Sequence, residues 1–107
     1  MSVPEITVKD LKAKLDAGET PFILDVRQPE ENAVSNIDGV LIPLKELPMR
    51  MDEIDGFKNQ PVYVHCRSGG RSGQAAKFLR SQGYDAYNVK GGMKAWAAEI
   101  DPDMQVA

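Results

Sequence analysis

The chain has 107 residues, thirteen Lys and Arg against sixteen Asp and Glu, and a formal net charge of -3. That length allows one small domain and no more. A composition 42% hydrophobic and 27% charged excludes a disordered tail and a membrane protein, and the acidic balance speaks against nucleic acid or anionic lipid as a partner.

In chain order, Thr7 followed three residues later by Asp10 resembles a helix start, and Val8, Leu11 and Leu15 recur at helical spacing until Gly18 stops the run. Pro21 to Val26 is a short apolar run of the kind shown by a strand buried on both faces, with a polar end at Asp25 and Arg27. Pro29-Glu-Glu31 suits a first helical turn and predicts a short helix to about Ser35. Gly39 to Pro43 reads as a brief strand, and Lys45 to Ile54 as a helical stretch interrupted at Pro48, with Met49 and Met51 as apolar filling. Pro61 to Cys66 is the clearest central strand and runs into the turn Arg67-Ser-Gly-Gly-Arg71. A helix marked by Ala75, Ala76 and Leu79 follows and closes at Gly83. Ala86 to Val89 is a last strand, and Gly91-Gly92 opens a final helix carrying Met93 and Trp96, both read as packing. Strand and helix alternate, which predicts an α/β fold with a parallel sheet covered by helices on both faces. The domain should span residues 1–100, with an acidic tail over 101–107 that is expected to fray.

The single cysteine, Cys66, excludes an internal disulfide and a two-cysteine metal site, and no metal or cofactor is expected. A reducing compartment follows from the same count. Met1 to Asp10 lacks the apolar run of a signal peptide, so a cytoplasmic protein without membrane contact is expected. A lone cysteine is usually a small buried hydrophobe. Three features around Cys66 point elsewhere: its place at a strand end, the paired glycines Gly69 and Gly70, and a helix beginning at about Arg71. Ligands of parallel sheets bind beyond the carboxyl ends of strands, and backbone amides with a helix dipole stabilise a thiolate. Arg67 and Arg71 add positive charge in the sequence beside it.

Other readings of the same loop fail on spacing. Gly70-Arg71-Ser72 is not the Gly-Lys-Ser/Thr of a nucleotide P-loop, and Gly69, Gly70 and Gly73 stand at the wrong intervals for a dinucleotide fingerprint. Ser68 lacks the flanking glycines of a serine-nucleophile elbow. A cysteine phosphatase or arsenate reductase places five residues between cysteine and arginine, whereas Arg67, Ser68, Gly69 and Gly70 make four before Arg71. The narrower loop suits a single extra sulfur atom. His65 is expected to point to the opposite face of the strand from Cys66 and to be a satisfied core histidine.

On Leu24 to Glu31, Ile42-Pro-Leu44, Val62 to Ser72 and Lys90-Gly-Gly-Met-Lys-Ala-Trp96, the chain resembles a single-domain rhodanese, a sulfurtransferase. The resemblance implies about five parallel strands and makes Cys66 the sulfur carrier. It implies a two-step transfer: the thiolate takes sulfur from thiosulfate or another persulfide donor, and an acceptor, cyanide in an assay or a small or protein thiol in the cell, removes it. With no second cysteine that acceptor must be external. Arg67, Ser68, Gly69, Gly70, Arg71 and Ser72 would bind donor and persulfide, with the two arginines drawing in a small anion. A monomer is expected. The family also contains non-catalytic interaction modules, which usually lack the cysteine. Lys90 to Pro102 is similar to rhodanese domains fused to adenylyltransferases of cofactor biosynthesis, which points to a sulfur-carrier pathway. One departure is Ser35-Asn-Ile-Asp-Gly39, which places Asn36 where the family commonly has histidine; a structural adjustment is expected there.

Charge divides unevenly. Residues 1–61 carry a net -5, residues 62–97 a net +5 and residues 98–107 a net -3. The basic third holds Cys66 and its loop, which suits capture of an anionic donor or an acidic protein face.

Overall fold

The computed structural model describes residues 3–107. Five parallel strands form one sheet: β1 (Glu5–Ile6), β2 (Phe22–Asp25), β3 (Val40–Leu41), β4 (Pro61–His65) and β5 (Asp85–Val89), in the order β1-β5-β4-β2-β3. Four α-helices connect or flank them: α1 (Val8–Asp16), α2 (Pro29–Val34), α3 (Gly70–Ser81) and α4 (Gly92–Glu99). Among the described residues, no helix is long and apolar enough to cross a membrane.

Helices cover both faces because the strands alternate their side chains. Phe22, Leu24, Val62, Val64 and Ala86 point to one face, where they pack with Ala75, Ala76 and Leu79 of α3. Ile23, Tyr63 and Val89 point to the other, against Val8 and Leu11 of α1 and Trp96 of α4. The Thr7 hydroxyl caps α1 by accepting from the Asp10 amide at 3.1 Å.

Three local expectations change. The two-residue edge strand β1 is absent from the sequence reading, being too short to show a period. The helical stretch Lys45 to Ile54 resolves into short 3-10 turns, Leu44–Met49, Met51–Glu53 and Asp55–Phe57. Pro48 has no N–H for a helical ladder, which favours such short pieces. Met49 is 79% exposed and fills nothing, whereas Met51 packs against the core.

Residues 101–107, expected to fray, lie against the body. Met104 packs on the α1/α4 face, the Ser35 hydroxyl donates to the Gln105 carbonyl oxygen, and Arg67 Nε donates to that of Ala107 at 2.8 Å.

The topology locates the functional crevice. The chain leaves β2 towards β3 and leaves β4 in the opposite direction towards β5. The carboxyl ends of β2 and β4 therefore flank a switch point, where open parallel sheets bind ligands. Asp25 ends β2, and Cys66 immediately follows β4.

Candidate active site

Cys66 continues the alternation of Val62 and Val64, so its side chain lies on the α3 face and only 1% of the residue is exposed. The chain then turns through Arg67 and Ser68 to Gly69, whose φ of 111° lies in the left-handed region open to glycine, and α3 begins at Gly70. This turn folds the loop back over the sulfur. The Gly69 amide donates to Cys66 Sγ at 3.1 Å, and the Ser72 hydroxyl oxygen lies 3.3 Å from it. Burial pushes the thiol pKa up, but the Ser72 side chain and the amides of Ser72, Gly69 and Ser68 outweigh burial and hold it below its ordinary value. Donors aimed at the sulfur favour an anion there.

The first turn of α4 keeps the loop's carbonyls away from that anion. The Met93 amide donates to the Cys66 carbonyl at 3.0 Å, and the Lys94 amide to that of Arg67 at 2.9 Å. Two otherwise orphaned helix N-terminal donors are satisfied by this contact. It demands glycine at 92, where φ is 56° and a methyl group would sit 2.5 Å from the Cys66 carbonyl oxygen.

The predicted loop residues separate into different roles. Gly69, Ser72 and Cys66 converge; Ser68 is exposed on the turn. Gly70 opens α3 without a positive φ, and a methyl group there would meet nothing within 4 Å. Arg67 is exposed and held through Nε by the tail. Arg71 is paired: both its terminal nitrogens donate to the Glu31 carboxylate, at 2.6 and 2.7 Å, so much of its charge is compensated within the chain. The same hydrogen bonds hold the Glu31 carboxyl down at about 2.

At the end of β2, Asp25 and Arg27 form a buried ion pair. Arg27 Nε and a terminal nitrogen donate to the carboxylate at 2.9 and 2.7 Å, and the Arg27 amide and Asn32 Nδ2 complete its shell at 3.0 Å each. The remaining guanidinium donors reach the carbonyls of Glu31 and Ser35. The carboxylate and all three guanidinium nitrogens are engaged, which is a wall-building arrangement. Asn36 also builds structure: its Oδ1 accepts from the Asp38 amide at 3.0 Å and its Nδ2 donates to the Asn32 carbonyl. This Asx turn accommodates Asp38 at a φ of 64°.

His65 faces away from the sulfur, paired in register with Asp25, but it is not satisfied: among the described residues neither ring nitrogen has a hydrogen-bond partner. The Asp25 carboxylate already accepts from Arg27 and Asn32. Burial lowers the His65 pKa, with Asp25 opposing, so the ring is neutral.

Asn88 is the residue missing from the sequence reading. It is buried on β5, two residues after Ala86 and therefore on the same, α3-facing side. Its Nδ2 donates to the Gly69 carbonyl at 3.2 Å, and its Oδ1 accepts from the Ser72 hydroxyl at 2.6 Å. A polar residue at an inward strand position is the signal that would have found it.

Comparison with known proteins agrees with this geometry. A family model described as "Rhodanese-like domain" matches residues 7–99. The putative sulfurtransferase YtwF of Bacillus subtilis is 39% identical over 103 residues, covering 95% of this chain and 98% of that protein. A sulfurtransferase of Allochromatium vinosum is 40% identical over 97 residues, covering 89% of each. The crystal structure of a rhodanese-like domain protein from Staphylococcus aureus superimposes with a TM-score of 0.79 at 36% identity, covering 97% of this chain and 98% of that one.

Proposed function

Since the chain belongs to the rhodanese-like domain family, we propose that it is a sulfurtransferase in which Cys66 carries the transferred sulfur. The reading rests chiefly on the short amide loop closing on Cys66 Sγ, with the Gly69 N–H at 3.1 Å. A loop this tight leaves the sulfur itself, or one further sulfur bonded to it, as the anion to be held, and it is narrow for a phosphate ester.

In the first step the Cys66 thiolate attacks the outer sulfur of thiosulfate. A new S–S bond forms, the old one breaks, and sulfite leaves with the electron pair. The Cys66 persulfide that remains is anionic on its outer sulfur, and the amides of Ser68, Gly69 and Ser72, which act on Cys66 Sγ, would stabilise it with charge-assisted hydrogen bonds. In the second step an acceptor attacks the outer sulfur and the Cys66 thiolate departs. Cyanide gives thiocyanate; a thiol gives a new persulfide. The sequence contains one cysteine, so an external acceptor completes the cycle. Arg67 at the mouth attracts the anionic donor, while Arg71, clasped by Glu31, fixes the rim and contributes less charge. The basic segment 62–97 extends that attraction to an acidic partner, in a reducing compartment where the free thiol persists.

Replacing the nucleophile tests the reading. Cys66→Ser should abolish thiosulfate:cyanide turnover while leaving the fold intact by circular dichroism; retained turnover would refute it.

A further inference from the structure

Two acceptors face one hydroxyl hydrogen beside the reacting sulfur. Asn88 Nδ2 donates to the Gly69 carbonyl, which fixes the orientation of the side-chain amide and turns Oδ1 towards Ser72. An amide oxygen only accepts, so any hydrogen shared across the 2.6 Å between Oδ1 and Ser72 Oγ is supplied by Ser72. Cys66 Sγ stands 3.3 Å from the same Oγ. Ser72 has a single hydrogen and cannot donate to both. We infer that Asn88 is a positioning residue that competes with Cys66 for the hydroxyl hydrogen of Ser72.

The chemistry follows from which acceptor wins. With Ser72 turned to Asn88, its lone pair faces the sulfur and accepts from an S–H, which favours the thiol. With Ser72 turned to the sulfur, it donates to an anion, which favours the thiolate. Asn88 thereby restrains the thiolate that the loop amides promote. This moderation keeps the sulfur nucleophilic, since a thiol's intrinsic nucleophilicity falls as its acidity rises. The surroundings are arranged for this contact. A methyl group on Gly73 would sit 3.5 Å from Asn88 Nδ2 and one on Gly69 3.8 Å, so the glycines leave Asn88 its space under the loop. The Gly69 carbonyl also accepts from the Gly73 amide at 3.0 Å, and removal of Asn88 does not orphan it.

The inference deepens the sulfur-transfer reading and rests on it for its purpose, but its test needs no sulfur donor. The pH dependence of Cys66 alkylation by iodoacetamide is measured on the whole chain. Asn88→Ala should move the midpoint to lower pH by about half a unit or more, as Ser72 is released to the sulfur. Asn88→Asp, a stronger acceptor, should move it higher. In a Ser72→Ala background, Asn88→Ala should produce no shift. An unchanged or raised midpoint in Asn88→Ala, a lowered one in Asn88→Asp, or a shift that survives in Ser72→Ala would overturn the inference. Should Asn88→Ala fail to fold, Asn88→Ser is read the same way. A thiosulfate adduct without these shifts overturns the inference alone; the shifts without an adduct overturn the transfer reading alone.

Discussion

The ends of β2 and β4 are neighbours, both buried and both polar, yet they handle charge in opposite ways. At the end of β2, Asp25 and Arg27 neutralise each other, and backbone and Asn32 groups take the remaining hydrogen bonds. Nothing is left over to act on a substrate. At the end of β4, the Gly69 amide and the Ser72 hydroxyl converge on Cys66 Sγ and, among the described residues, no cation is hydrogen-bonded to it; Arg71, five residues on, is engaged by Glu31. A closed network builds a wall, whereas donors gathered around one polarizable atom favour negative charge on it. Burial alone does not distinguish them, because Asp25 and Cys66 are equally inaccessible.

Four substitutions sharpen that contrast, beginning with the largest expected effect. Asp25→Ala leaves the buried Arg27 charge uncompensated and should cost about 3–5 kcal/mol in chemical denaturation. Its damage should be to stability, with Cys66 in the surviving folded fraction still alkylated at a normal rate; normal stability would show that the pair is dispensable. Gly69→Ala forces a side chain onto a φ of 111° and should cost roughly 1–3 kcal/mol. Because the Gly69 amide bonds the sulfur, this variant should also raise the midpoint pH of alkylation, and an unchanged midpoint would remove that amide from the account. His65→Leu should be neutral or stabilising by about 1 kcal/mol at neutral pH, since neither nitrogen makes a bond to lose. It should also flatten the acid limb of the stability profile. The folded His65 pKa lies below the ordinary 6.5, so the unfolded chain binds the proton first and the parent protein loses stability as pH falls below that value. Parallel acid limbs in the two proteins would contradict this. Gly70→Ala, with open space around it and no positive φ, should change stability by a few tenths of a kcal/mol at most; a large loss would mean that the helix start is strained.

The sequence exposes β4 and the Cys66 loop because both signals are local: a continuous apolar strand followed by Ser-Gly-Gly within five residues. The same is true of α1, whose cap and apolar positions lie within a few turns. What escapes reading is set by partners far away in sequence. Arg71 reads as a free cation because Glu31, which clasps it, is forty residues earlier. Asn88 reads as one more strand residue until β5 is laid beside β4 and α3, and only then does it meet Ser72 and Gly69. His65 is correctly placed on the opposite face by strand alternation, but whether its nitrogens find partners depends on Asp25 having spent its lone pairs on Arg27 and Asn32. β1 escapes for a simpler reason: two residues cannot show a period.

The central claim is that the donors at the end of β4 hold an anionic sulfur on Cys66. Intact-mass spectrometry after incubation with thiosulfate tests it most directly. The expected result is one added sulfur atom per chain, released by cyanide and absent from Cys66→Ser; no adduct on the parent protein, or an adduct that persists in Cys66→Ser, would contradict it.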